Sequence, residues 1–295
     1  LRILCMFFVV LLHFNNHGIN TDIIEFHGNL TLQNGIGHFI ESFAIVAVNC
    51  YVLISGYFGI KFSIKGLLRL YFSCFFMGLL GYILYIMFTD NPLSVTKLLA
   101  RFMAFTHNRW WFVIAYLFLF FIAPLLNHAI NTMSKKQFQY ALLLSIYTFY
   151  IGYVRNLGDN SIGMSYAQFV FLYLIGRYVG IYLPNEIIVK KRYFWLSGYL
   201  IMTLSTFILA LLKQGTDINC EFLRPYPYNS WFVVGGALFL LLFMLSFDFY
   251  NNIINWLASS VFSVYLLQES SYFGVQVLYP WTESTFPLID DLVIK

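Results

Sequence analysis

Long apolar runs alternate along this chain with short polar connections, and the length of each run carries the first structural information. A helix needs roughly 20 apolar residues to cross a bilayer. By that measure the pattern predicts about nine spans, at 1–17, 38–60, 67–89, 110–127, 137–154, 165–184, 193–213, 230–249 and 256–279. Strand-like alternation in segments of roughly ten residues is absent, which argues against a transmembrane barrel. The stretch PLSVTKLLARFMAF (92–105) is too short to span. Its Lys97 and Arg101, at i and i+4, predict an amphipathic helix lying on the membrane surface. No loop is long enough for a soluble domain, and no solenoid repeat is visible. The expected fold is therefore all-α: a polytopic membrane protein forming a single helical bundle, one domain over 1–295. The chain starts inside an apolar run at Leu1, and a new run begins at LVIK. Residues before Leu1 and a tenth helix beyond Lys295 are expected.

Composition sharpens this picture. Hydrophobic residues make up 60% of the chain and charged residues only 10%, with a mean hydropathy of +0.73. Soluble domains are typically about one quarter charged, so a water-soluble fold would lack polar surface. The 33 Phe and 22 Tyr exceed what a core needs and are expected at lipid or headgroup level. Among the four cysteines there is no CxxC and no Cys/His spacing suited to zinc, so neither a disulfide framework nor a metal site is indicated.

The distribution of the cations gives an orientation. With residue 1 on the cytoplasmic side, Lys61, Lys65, Arg69, Lys135, Lys136, Arg177, Lys190, Lys191 and Arg192 all fall in cytoplasmic connections. Fewer cations (Lys97, Arg101, Arg109, Arg155, Lys213 and Arg224) fall on the other side, among several acids. That excess predicts a multi-pass protein of the inner (plasma) membrane with a cytoplasmic N-terminus. The bilayer is thus an expected partner, and nucleic acid is not.

Candidate chemistry begins in LRILCMFFVVLLHFNNHG. Arg2 and His13 are eleven residues apart, which at 100° per residue is three turns plus about 20°. Both therefore project from one face of the first helix, Arg2 near the cytoplasmic headgroups and His13 deep or toward the far side. A flanking Arg alone is an ordinary anchor; a cation and an imidazole sharing one face point to function. His17 follows at i+4, but with neither a paired Glu nor a third ligand nearby a metal is not expected. In the second helix Glu41 and Ser55 return to within about 40° of each other, and Asn49 sits mid-span. In the ninth, Glu269 falls near mid-span, where a carboxylate must be paired, neutralised or wet. Arg2 and His13 are candidates to pair with it. Arg109, Trp110 and Trp111 form either an interfacial belt or a stacking surface for a sugar ring.

These segments together resemble the acyltransferase-3 family, polytopic membrane enzymes that move acyl groups onto sugars of surface glycans. Arg2 and His13 fit its R-x10-H signature, and ESFAIVAVNCYVLISGYF resembles its segment ending in a Ser-Gly-aromatic turn. RWWFVIAYLFLFFIAPLLN is similar to its WF-x-x-x-Y…P-x-L-N helix, and LASSVFSVYLLQE to its late Ser-x-x-x-YL segment. One departure is visible: relatives commonly read YL-x-H-E, whereas Gln268 precedes Glu269 here.

The resemblance implies acyl-CoA, most often acetyl-CoA, as co-substrate, with no permanently bound cofactor. The implied acceptor is a hydroxyl of a cell-surface polysaccharide or of its lipid-linked precursor. A sugar hydroxyl needs a base beside it, and imidazole suits that role at neutral pH. His13 is then expected as general base, or as transient acyl carrier, with Arg2 and Glu269 completing the catalytic set. Arg2, Arg69, Lys61 and Lys65 are expected to bind donor phosphates. Glu41, Asn49, Ser55, Arg109 and Trp111 are expected to support the acceptor or the oxyanion. A transporter or flippase would favour inverted repeats with broken helix pairs, which are not seen. A polymerase of lipid-linked saccharides would favour one long external loop.

Overall fold

The computed structural model describes residues 1–19, 30–106, 110–155, 162–215 and 223–285. Each expected apolar run is largely helical where it is described. The order is α1 (Arg2–Phe14), α2 (Leu32–Ala44), α3 (Ala47–Phe58), α4 (Ile64–Phe88), α5 (Val95–Ala100), α6 (Trp111–Thr132) and α7 (Lys135–Arg155). There follow α8 (Tyr166–Tyr182), α9 (Asn185–Lys190), α10 (Arg192–Gly215), α11 (Trp231–Leu245), α12 (Asn252–Gln268) and α13 (Tyr279–Thr285). A π-helical turn, Asn15–Ile19, continues α1, and a second, Gly274–Leu278, leads into α13. No strand occurs among the described residues.

Among the described residues, four helical segments are long and apolar enough to cross a membrane: Leu32–Phe58, Ile64–Phe88, Trp111–Thr132 and Arg192–Gln214. The other expected spans are helices but are not among these, so by length and composition four crossings stand against the nine anticipated. Large apolar side chains such as Phe72, Phe76, Phe121, Leu125, Leu143 and Ile201 are exposed on the bundle's outside. Exposure on that scale is unfavourable in water and favourable in lipid. The chain is a helical membrane protein.

Helix ends explain where the expected boundaries moved. The second span starts at residue 32 rather than 38, because the Thr31 side chain accepts from the Asn34 N–H at 3.1 Å. Ser63, Ser165 and Asn251 cap α4, α8 and α12 in the same way, each satisfying an amide that lipid could not. The ninth span, expected to be continuous over 256–279, is broken. Helix α12 stops at Gln268, and the Ser270 hydroxyl accepts from the Gly274 N–H at 3.1 Å. A Cβ at Gly274 would lie 1.8 Å from the Gln268 carbonyl oxygen, so this reversal requires glycine. The surface helix expected at 92–105 is also corrected. Only Val95–Ala100 is helical, Arg101 is 4% exposed, and its guanidinium lies 4.8 Å from the centre of the Tyr272 ring. Arg101 therefore docks on the segment after α12 instead of facing headgroups.

Interhelical packing relies on close backbone approach. Helix α3 runs along α8, α10 along α11, and α1 lies among α2, α3 and α12. At the α3–α8 crossing a Cβ on Gly56 would sit 2.4 Å from the Tyr173 carbonyl oxygen, and one on Gly176 2.3 Å from that of Leu53. Helices in lipid gain no hydrophobic drive from association, so such small-residue contact supplies the dispersion that joins them. Beyond this crossing the α3 terminus is fixed by polar bonds. Asn127 Nδ2 donates to the Ile60 carbonyl at 2.9 Å, and the Tyr173 hydroxyl donates to Asn127 Oδ1 at 2.7 Å.

Candidate active site

Helices α1, α2, α3, α6, α10 and α12 line a cavity of about 470 Å³. It lies toward the end of the bundle that holds the π-turn after α1, the end of α10 and the loop before α11. Met6, Val9 and His13, besides Leu12, line it from α1. With Arg2 they fall at i, i+4, i+7 and i+11, a single helical stripe. Arg2 stands at the foot of that stripe and is exposed, outside the cavity wall. Its carbonyl accepts from the Tyr51 hydroxyl at 2.7 Å, and Tyr51 itself lines the cavity. The shared face expected from the spacing is present, but only the imidazole end of it faces the hollow.

His13 Nδ1 lies 3.5 Å from Glu269 Oε1, with both side chains largely shielded from solvent. The break after α12 makes this meeting possible, because Glu269 ends α12 instead of continuing it. The Tyr279 hydroxyl, at the start of α13, donates to the same carboxylate oxygen. Tyr279 in turn stacks on His17, with ring centroids 4.3 Å apart at 25°. His13, Glu269, Tyr279 and His17 thus form one contiguous set, carried on α1, the C-cap of α12, the start of α13 and the π-turn after α1, a kind of turn common at functional sites. At their 3.5 Å separation His13 Nδ1 makes no hydrogen bond with the Glu269 carboxylate. Among the described residues no group of three His, Cys, Asp or Glu could hold a metal ion.

A second carboxylate lines the wall. Glu41 is 1% exposed and accepts from Asn15 Nδ2 at 3.2 Å and from Asn16 Nδ2 at 3.3 Å. Asn15 also donates to the Gly37 carbonyl at 3.1 Å. These bonds tie the π-turn after His13 to α2, so Glu41 fixes the backbone on which His17 is carried. Trp111 lines the cavity beside Tyr228, ring centroids 5.6 Å apart. Two aromatic faces on one wall suit a sugar ring.

Other candidates lie elsewhere. Asn49 does not line the cavity; its Nδ2 donates to the Tyr228 carbonyl at 2.7 Å, joined by Gln168 Nε2 at 2.8 Å. That pair clamps the loop before α11. The Ser55 hydroxyl is turned back on its own helix, donating to the Tyr51 carbonyl at 2.9 Å. Neither Asn49 nor Ser55 is therefore placed to stabilise an oxyanion in this cavity. Lys61, Lys65 and Arg69 are exposed around the start of α4 and do not line it. Arg109 lies outside the described residues.

Sequence reasoning missed Tyr279, Tyr226, Tyr228, Lys213 and Arg224. The loop tyrosines and Arg224 have no periodic context, Lys213 reads as the end of the span at 193–213, and Tyr279 as the end of a continuous span. The Pro-Tyr-Pro-Tyr run at 225–228 was the available signal, since alternating prolines stiffen a loop and aim its side chains.

A family model described as an acyltransferase domain matches residues 1–290, and the chain belongs to that family, acyltransferase-3. No match to the chain is found among curated proteins or among solved structures.

Proposed function

We propose that this membrane acyltransferase moves an acetyl group from acetyl-CoA to a hydroxyl of a cell-surface polysaccharide or its lipid-linked precursor. The observation that carries this reading is the His13–Glu269 pair on the wall of a cavity large enough for a sugar. In the proposed step His13 Nε2 takes the proton of the acceptor hydroxyl as its oxygen attacks the thioester carbonyl. The C–O bond forms, the C–S bond breaks, and the imidazolium returns the proton to the leaving thiolate. Glu269 is adjacent to the imidazolium while it carries charge.

Donor binding is assigned to the opposite end. Eleven residues of helix separate Arg2 from His13, roughly 16 Å, a distance that the extended pantetheine arm of coenzyme A can bridge. Arg2, with Lys61, Lys65 and Arg69 in the following connection, would hold the nucleotide phosphates. On this reading the donor enters from the side richer in cations, the inner face of the plasma membrane, with the N-terminus cytoplasmic. Trp111 and Glu41 face the acceptor.

Membranes containing the protein, incubated with labelled acetyl-CoA, should place alkali-labile acetate on glycan, and the His13→Ala variant should not. Label that stays in the aqueous phase with both proteins would reject the proposal.

A further inference from the structure

We propose that Arg177 is a phosphate-binding residue at the inner end of the bundle, and that the phosphate it takes is the ribose 3′-phosphate of the coenzyme A donor. This deepens the acyl-transfer reading and rests on it for the identity of the ligand, while the placement of the guanidinium rests on geometry.

Helices α3 and α8 run parallel: Gln168 meets Asn49 near their starts, and Gly176 packs on Gly56 near their ends. Arg177 therefore leaves α8 at the level where α3 stops. The stop is Gly59, with a φ of +76°. A Cβ on Gly59 would lie 2.8 Å from Arg177 Nη1 and 3.2 Å from its Cζ. The guanidinium is thus laid against the bare backbone of the α3 terminus, and helix packing sets its place.

Its neighbours offer it no bond. The Tyr173 hydroxyl, one turn earlier on α8, accepts from the Ile60 N–H at 3.1 Å and donates to Asn127 Oδ1 at 2.7 Å. Asn127 Nδ2 returns to the Ile60 carbonyl at 2.9 Å, which closes the cycle without Arg177. Among the described residues the Arg177 side chain makes no hydrogen bond or ion pair, and its Nε is buried without a partner. The C-terminal end of α3 attracts a cation, but that leaves the five guanidinium donors unfilled. A buried charged donor without a partner is costly, and an anion with several oxygens removes that cost. The planar fork matches phosphate, and Arg177 is partly exposed, so a ligand can reach it.

The position selects which phosphate. Tyr51, whose hydroxyl bonds to the Arg2 carbonyl, precedes Gly59 on α3 by eight residues, about 12 Å of helix. Arg177 is therefore a cation beyond Arg2, farther from His13, and the exposed Lys61 follows Gly59 closely. Coenzyme A carries a diphosphate beside its pantetheine arm and a 3′-phosphate on the ribose, farther from the thioester. The Arg2 end suits the first and Arg177 the second.

The test uses the full chain purified in a neutral detergent, with coenzyme A and with dephospho-coenzyme A, which lacks only the 3′-phosphate. Thermal unfolding should show wild type binding coenzyme A about tenfold more tightly than the dephospho form, the factor carried by ~1.4 kcal/mol. Arg177→Gln should bring the two level by losing affinity for coenzyme A alone. Arg177→Lys should keep part of the difference, and it carries the test if Arg177→Gln does not accumulate. In transfer assays Arg177→Gln should raise the acetyl-CoA KM about tenfold and leave kcat and the acceptor KM unchanged. Equal wild-type affinity for the two ligands, or discrimination intact in Arg177→Gln, would overturn the proposal. Liposomes of phosphatidylcholine with or without phosphatidylglycerol separate the other source of phosphate. A wild-type rate that needs the anionic lipid, with that need lost in Arg177→Gln and discrimination kept, would assign Arg177 to a headgroup instead. Discrimination lost in Arg177→Gln, in a protein that transfers no acetyl group, would uphold the site and reject only the acyl-transfer reading.

Discussion

His13 Nδ1 stands 3.5 Å from Glu269 Oε1, joining the first helix of the chain to the end of the twelfth. The pair sits where α12 stops and the chain reverses over Gly274, so a break in a helix places the carboxylate. An imidazole close to a carboxylate, on the wall of a cavity, is an arrangement suited to a general base.

His13→Ala should reduce acyl transfer by roughly 10²–10⁴-fold, the usual worth of a positioned base, with the protein still inserted and abundant. Rate should also fall as pH is lowered, because a protonated imidazole cannot accept the hydroxyl proton. Retained activity in His13→Ala membranes at normal expression would remove it from the mechanism.

Glu269→Gln and Tyr279→Phe act on the base through its partner. Both should lower kcat, Glu269→Gln more strongly, with little change in either KM, since neither group is assigned to hold a substrate. A KM effect of equal size in both variants would assign Tyr279 to substrate contact instead. Steady-state kinetics with each substrate varied in turn would distinguish these outcomes.

Arg2→Lys should raise the apparent donor KM about tenfold, the consequence of losing one charge-assisted bond worth ~1.5 kcal/mol or more. Acceptor dependence should stay unchanged. Titrating acetyl-CoA against the variant checks this, and an unaltered donor curve would reject the phosphate anchor.

Asn49→Ala separates two roles. If its amide clamps the loop carrying Tyr228, as the 2.7 Å bond implies, the acceptor KM should rise and kcat should change little. A loss confined to kcat would restore the oxyanion role expected from its mid-span position.

Gly176→Val should disturb the α3–α8 crossing, where even a Cβ meets the Leu53 carbonyl oxygen at 2.3 Å. Overpacking of this kind costs ~1–3 kcal/mol or more. A lower unfolding midpoint in detergent is the expected reading, and an unchanged one would show that the crossing can open.

The sequence carried the helices because their cause is local. An apolar run in lipid must satisfy its backbone internally, so most of each described run is helix, the break after Gln268 being an exception. The register of Arg2, Met6, Val9 and His13 on one stripe follows from helical periodicity alone. Local capping was less visible, and Thr31 and Asn251 moved two boundaries.

The short segment 92–105 shows where local reasoning stops. Its i, i+4 cations described an interfacial helix, but Tyr272 lies within reach of the Arg101 guanidinium and draws it inward. A cation–π contact with a distant ring leaves no trace in the segment's own pattern.

By itself, the sequence determined that this chain is helical, lies in a membrane, belongs with the acyltransferases and carries a basic imidazole on the stripe that starts at Arg2. Only the tertiary structure decided which carboxylate meets that imidazole, that Asn49 and Ser55 are spent on backbone carbonyls, and that Lys213 and Arg224 face the same hollow. The reason is physical: periodicity along a helix sets which side a residue projects from. What it meets there depends on how other helices cross and where they break, and those are settled by contacts between residues far apart in the chain.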